Sequence, residues 1–352
     1  MNEVIDYLRE HADLIIWDLE ESGIFETRVN KINFRPLVSQ FQSNIWGIKK
    51  LGKIGKGEII IINSYLRHRF LFFALYAKYI KRCQPIIFVN AIYHYSLRSA
   101  FLNNLDRFIS RVLLRSAAII IANSNSTKEE LMSLGISGNK IKVIYPRLDM
   151  PPINDTPIKN GKDAFFHILF IGYCEPLKEL HVLIKAVGKL NKIPFCLHII
   201  GDYQCDPEYV NKIKCLITDL GIEDKVVFHG RMGRNELSIW LKKADLFVSP
   251  SRGEGYGRAL AEAMYFGLPV IGADKGASKE LIESGINGFL FKSGSDESLA
   301  LFISKLYEDA ELRRQFGADS KALINKKANF DQNLGEQFFK VLADKNFIPK
   351  NN

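Results

Sequence analysis

Short apolar, β-rich runs alternate with helical patterns along the chain, which confines it to a fold built of parallel βαβ units. In the first half the expected strands are Asp13 to Trp17, Glu58 to Asn63, Pro85 to Asn90, Ala118 to Asn123 and Ile141 to Tyr145. In the second half they are His167 to Ile171, Phe195 to Ile200, Val226 to His229, Leu246 to Ser249, Val270 to Ala273 and Gly288 to Phe291. Ser126-Thr127-Lys128-Glu129 has the form of a capping box, with Ser126 as N-cap and Glu129 reaching back. Tyr145 to Pro157 is proline-rich and aperiodic, the pattern of a linker. A chain of 352 residues exceeds what one hydrophobic core usually supports, so two domains are expected, residues 1–150 and 151–330, followed by a helical segment over 331–352. Two such sheets bring the carboxyl ends of their strands to one cleft, where ligands of open α/β sheets bind.

An apolar share of 47% with 25% charged residues is that of an ordered globular protein. No apolar run approaches the roughly 20 residues that span a bilayer, and Met1-Asn2-Glu3-Val4-Ile5-Asp6 lacks the basic start of a secretory signal. Cys83, Cys174, Cys196, Cys205 and Cys215 are odd in number and lack the short paired spacings of a zinc site, so they read as reduced thiols of a cytoplasmic protein. Charge is unevenly spread. From Glu26 to Ser124 there are 16 Lys and Arg against three acidic residues, a net +13 that exceeds the +9 of the whole chain. Arg67 to Arg82 is basic and aromatic with helical spacing, and Arg107, Arg111 and Arg115 form a stripe on another helix. Such surfaces suit an anionic membrane, where each basic residue near the headgroups is worth about 1 kcal/mol. No recognised nucleic-acid-binding motif is present, so nucleic acid is not expected as a partner.

The stretch Ser249-Pro250-Ser251-Arg252-Gly253-Glu254-Gly255-Tyr256-Gly257-Arg258, continuing through Glu262 to Gly267, follows the apolar run Ala244 to Val248. It reads as a strand, a glycine-rich turn and a helix N-terminus, where backbone amides and the helix dipole face an anion. Glu254 falls in the turn and Glu262 about one turn inside the helix. Ionised glutamate is a pure acceptor able to hold two hydroxyl donors. Taken alone, the same pattern also fits an N-capping turn with two solvated glutamates.

With its flanks, this string resembles the Glu-x7-Glu signature of the retaining, nucleotide-sugar-dependent group 1 glycosyltransferases of GT-B fold. Upstream the resemblance takes in Val226-Val227-Phe228-His229-Gly230-Arg231; downstream it takes in Gly267-Leu268-Pro269-Val270-Ile271-Gly272 and Gly285-Ile286-Asn287-Gly288-Phe289-Leu290. It covers roughly residues 165 to 345 well and the first half poorly. It implies an α/β fold of two Rossmann-like parallel-sheet domains facing a central cleft, with a C-terminal helix crossing back to the first domain. It further implies a metal-independent hexosyltransferase with no cofactor, a nucleotide diphosphate sugar as co-substrate and a glycan or lipid-linked acceptor. Such an enzyme would serve cell-surface polysaccharide or lipopolysaccharide synthesis, peripherally on the inner face of the cell membrane.

Carried over residue by residue, the resemblance gives Glu262 the ribose hydroxyls and Glu254 the transferred sugar. Lys178 takes the donor diphosphate, Gly255, Tyr256 and Gly257 supply amides to it, Gly230 and Arg231 lie near the base, and His94 completes the site from the first domain. After Gly172 this chain has Tyr173 where the family has an arginine. Arg231, Arg234, Arg252 and Arg258 are the candidates to replace it, Arg258 being the best placed by sequence; alternatively Tyr173 itself binds the phosphate. Before residue 47 the only glycine is Gly23, so the glycine-rich loop that opens the family's first domain is missing. Two rival readings share the fold: a catalytically weak sugar-nucleotide-binding subunit of an assembly complex, and a nucleotide-sugar epimerase or hydrolase.

Overall fold

The computed structural model describes residues 59–64, 75–80, 82, 84–89, 108–112, 114–146, 165–327 and 334–345. The expected strand at Asp13 to Trp17, His94 and most of the Arg67 to Arg82 segment lie outside them. The described residues fall into two compact units, one drawn from Met1–Arg147 and Asp331–Asn352, the other from Leu148–Phe330.

The first unit contains a parallel sheet of β1 (Ile59–Ser64), β2 (Gln84–Val89), β3 (Ile119–Ala122) and β4 (Ile141–Val143), in that order. Helix α1 (Asn125–Ser133) connects β3 to β4. Its N-cap is Ser124, whose side chain accepts from the Thr127 N–H at 3.0 Å, so the expected cap at Ser126 is corrected by two positions. Ser124 leaves β3 with extended backbone, as an N-cap requires, whereas Ser126 is already in the first turn. At the other end of α1, Arg111 donates from Nε to the Leu134 carbonyl at 2.6 Å, placing a cation at the negative end of the helix dipole.

The second unit runs β5 (Phe166–Ile171), α2 (Leu180–Gly188), β6 (Phe195–Ile200), α3 (Pro207–Asp219), β7 (Val226–Gly230), α4 (Arg234–Lys243), β8 (Leu246–Ser249), α5 (Arg258–Tyr265), β9 (Val270–Ala273), α6 (Gly276–Leu281), β10 (Gly288–Phe291), α7 (Asp296–Glu308) and α8 (Ala310–Lys327). Its six parallel strands lie in the order β10-β9-β8-β5-β6-β7. Strands β8 and β9 are buried at every position, as expected of a parallel sheet covered by helices on both faces. Phe195, Phe247, Phe291 and Phe316 are all buried in this unit. Helix α9 (Leu334–Asp344) belongs to the first unit: its Phe338 is fully buried, 5.1 Å from the Phe88 ring on β2.

Backbone contact is closest where β5, β6 and β7 end. The Gly172 N–H donates to Ile200 O and the Gly201 N–H to Gly230 O, each at 2.9 Å. Gly201 has φ +146°, and a Cβ there would stand 2.0 Å from the Gly172 carbonyl oxygen, so no side chain fits without separating the two strands. Gly201→Ala should lower the stability of the second unit by about 2 kcal/mol or more, measured by the denaturant midpoint; a loss under about 0.5 kcal/mol would show that the contact yields easily.

Candidate functional site

In the second sheet β5 has β6 on one side and β8 on the other, so strand order reverses between β5 and β8. The turns leaving these two strands therefore diverge above a crevice at their carboxyl ends, the place where open α/β sheets bind ligands. The turn after β5 passes through Gly172 and Tyr173 into a short 3-10 turn, Pro176–Lys178, and then Glu179, which is left-handed at φ +47°. The turn after β8 runs from Pro250 to Gly257.

Backbone contacts join the two turns. The Arg252 N–H donates to Leu177 O at 3.1 Å and Ser251 Oγ to the same oxygen at 3.3 Å. Gly253 packs closely on the other turn: a Cβ there would lie 2.8 Å from Leu177 Cδ1, so a side chain would have to displace that methyl. This brings Lys178 Nζ into a direct ion pair with Glu254 Oε2, both side chains largely shielded from water. Glu254 is anchored from behind, where its carbonyl accepts from the Ala277 N–H at 3.0 Å across Gly276, at φ +54°.

A second ion pair lies beside the first. Arg252 Nε stands 3.2 Å from Oε1 of Glu179, which is only 4% exposed, and Ser293 Oγ donates to its other oxygen at 3.4 Å. Burial pushes the Glu179 carboxyl above the ordinary carboxylate range, against the pull of Arg252. Glu175 is raised in the same way, its burial outweighing the nearby Lys178 ammonium. Sequence reasoning passed over both of these glutamates, since an acidic residue at a helix start normally reads as a solvated one.

Helix α5 begins at Gly257, φ +73°, which offers no side chain to cap the helix. Arg258 Nε lies 3.2 Å from Glu262 Oε1 one turn along, and Glu262 is 7% exposed, its carboxyl raised because burial exceeds the attraction of Arg258. Gly255 sits half-buried in the preceding turn. Tyr256 is buried rather than presented to the crevice, and burial pushes its hydroxyl up to about 12, so it stays protonated.

Tyr173 is exposed and meets Arg231 from the end of β7: the guanidinium carbon lies 6.0 Å from the ring centroid and Nη2 comes within 3.5 Å of the hydroxyl. Arg231 Nε is 3.9 Å from Asp202. Gly230, at φ +76°, allows the chain to turn there. The expected site residues thus form three groups: Lys178 with Glu254; Arg258 with Glu262; Gly172, Tyr173, Gly230 and Arg231 along the glycine-lined strand ends. Among the described residues no helix is long and apolar enough to cross a membrane.

The fold is shared with solved structures. HepE of Anabaena in complex with UDP and glucose aligns with a TM-score of 0.77 at 22% identity, over 97% of this chain and 95% of that one. The apo lipopolysaccharide outer core galactosyltransferase WaaB aligns with a TM-score of 0.65 at 21% identity, over 90% of this chain and 85% of that one. The architecture is GT-B, with two parallel-sheet α/β domains. In sequence, the family model for glycosyl transferases group 1 matches residues 154–322, and that for Glycosyltransferase Family 4 matches residues 11–150. Residues 154–322 thus belong with the group 1 glycosyl transferases, and the two models together place the chain among the glycosyltransferases. A D-inositol 3-phosphate glycosyltransferase of Paenarthrobacter aurescens is 28% identical over 216 residues, 58% of this chain and 52% of the relative. The chain thus spans about half the length of this curated relative.

Arg252→Ala leaves the Glu179 carboxylate buried without its cation, at a cost of about 1 to 2 kcal/mol near neutral pH. Because the folded-state pKa of Glu179 is raised and the variant raises it further, acidification lets Glu179 take up a proton, and the gap between variant and parent should narrow as pH falls. Denaturant titrations at a series of pH values measure this; a gap that stays constant or widens on acidification would place the contribution of Arg252 elsewhere.

Proposed function

We propose that this protein is a retaining, metal-independent hexosyltransferase that moves a sugar from a nucleotide diphosphate donor to a lipid-linked or polysaccharide acceptor in cell-surface glycan synthesis. The observation that carries this reading is the Lys178–Glu254 pair, held where the strand order reverses, with the buried Glu262 one turn into α5. Breaking a sugar–phosphate bond builds negative charge on the departing diphosphate, so fixed positive potential at that end lowers the barrier. Lys178 and the uncapped N-terminus of α5 supply that potential here. Glu254 is then the carboxylate facing the sugar, and Glu262 the acceptor for ribose hydroxyls. The UDP and glucose bound by HepE and the galactosyl transfer named for WaaB support a nucleotide-sugar donor and a glycan acceptor.

For the arginine that Tyr173 displaces, Arg231 is the better replacement. Arg258 is held at 3.2 Å by the buried Glu262, whereas Arg231 leans over Tyr173 with a longer contact of 3.9 Å to Asp202 and more of its side chain exposed. A guanidinium there offers the charge-assisted, bidentate contact that a diphosphate takes best. His94 stays in the proposal as the contribution of the first domain.

In release of nucleotide diphosphate from a panel of sugar nucleotides, Glu254→Gln and Lys178→Ala should each lower turnover at least about tenfold, or 1.4 kcal/mol. Arg231→Ala should do more damage than Arg258→Ala to the rate with saturating donor. Equal rates for all four variants and the parent would remove these side chains from the mechanism. If no donor turns over even with acceptors added, the sugar-nucleotide-binding subunit becomes the better reading, and turnover to an isomerised donor without acceptor would point to an epimerase.

The basic first half fits an anionic membrane face, with Tyr79 and Ile80 67% exposed and Phe108 63% exposed in the first unit. Sedimentation with vesicles containing anionic lipid should be strong at low salt and fall as salt rises. Binding indifferent to both lipid charge and salt would remove the membrane from the proposal.

A further inference from the structure

Three side chains on one face of the second sheet converge away from the Lys178–Glu254 pair. His167 on β5 and Cys196 on β6 are register partners across the parallel ladder, and His198 lies two residues after Cys196, so it points to the same face. His167 Nδ1 and His198 Nε2 are 2.9 Å apart, and one ring nitrogen of each histidine and Cys196 Sγ all lie within 4.8 Å of one another. We propose that His167 Nδ1, Cys196 Sγ and His198 Nε2 bind a zinc-class divalent ion, with a fourth position left to water.

The donor set selects the ion. Two imidazoles and a thiolate suit zinc and its borderline-soft neighbours and are poor ligands for magnesium or calcium, which demand oxygen. Tetrahedral zinc with nitrogens at about 2.0 Å sets two ligating nitrogens about 3.3 Å apart. The two imidazoles need to open by only a few tenths of an ångström from their hydrogen-bonded separation. On binding, the Cys196 thiol gives its proton to solvent and ligates as thiolate, while both imidazoles ligate as neutral rings.

The surroundings are those of a supported ligand. A metal-binding imidazole usually donates its other N–H to a fixed partner, which sets the tautomer. His198 Nδ1 lies 2.9 Å from His229 Nε2, so His229 is the fixed partner for the nitrogen that faces away from the ion. The Trp240 ring of α4 packs on both imidazoles, centroids 4.2 Å from His198 and 4.4 Å from His229, which fixes their orientation. The His167 backbone N–H donates to Asp245 Oδ2 at 2.9 Å, tying down the start of β5. His198 is 5% exposed, while His167 and Cys196 are half-buried, so an ion can enter from their side. This site is independent of the transferase reading.

The test uses the full chain, stripped with chelator and returned to one equivalent of Zn2+ or Co2+. The expected results are one bound ion per chain, a thiolate-to-cobalt charge-transfer band in the near ultraviolet, and Cys196 alkylation by iodoacetamide slowed at least tenfold by zinc. The exposed Cys205 and Cys215 are internal references whose labelling zinc should leave unchanged. These readouts need no substitution; Cys196→Ser should then remove the band, and His198→Gln the protection. Unchanged Cys196 labelling with zinc, a cobalt spectrum without the thiolate band, or undiminished binding by Cys196→Ser would each overturn the site.

Discussion

Strands β5 and β8 pair through two register positions, Ile168 with Leu246 and Leu169 with Phe247. From this contact the chain builds outward in both directions, and the loops leaving the two carboxyl ends have no sheet neighbour between them. The Leu177 carbonyl then draws the loops together through the Arg252 amide and the Ser251 hydroxyl. Without the β5–β8 pairing, Lys178 and Glu254, 76 positions apart, would not meet.

Charge around the strand ends is neutralised locally. Lys178 is matched by Glu254, Arg252 by Glu179 and Arg258 by Glu262, and in the last two pairs the carboxylate is the buried partner. Burying a carboxylate without a cation is costly, so these pairs offset the price of placing acids near the crevice. An anion arriving at Lys178 competes with Glu254 for the ammonium, and the carboxylate it releases is free to accept hydroxyl donors. One ion pair can therefore prepare both a positive and a negative contact for a ligand carrying phosphate and sugar.

How far the sequence could be read depends on the range of the signal. The strands are legible because each is a short apolar run bounded by turns: Phe195–Ile200 and Val270–Ala273 fall where the pattern places them. The turn with Glu254 is legible from its glycines, although the packing of Gly253 against Leu177, a residue of another loop, is not. The cap of α1 is misread because Ser124 and Ser126 are equivalent on paper, and only the backbone conformation leaving β3 chooses between them. Register is a longer-range property still. The contact between Tyr173 and Arg231 and the convergence of His167 with Cys196 depend on which strands are neighbours and on how they slide. Spacing rules for zinc sites search along one strand, whereas these ligands come from two.

The packing of Phe338 against Phe88 bears on how the molecule is made. Synthesis delivers β2 early and α9 only after every residue of the second unit, which is contiguous in the chain. The later unit is thus fully synthesised before the chain reaches α9, which brings Phe338 to Phe88 in the earlier one. Until α9 arrives, Phe88 lacks its Phe338 partner, and a slow or stalled ribosome lengthens that interval.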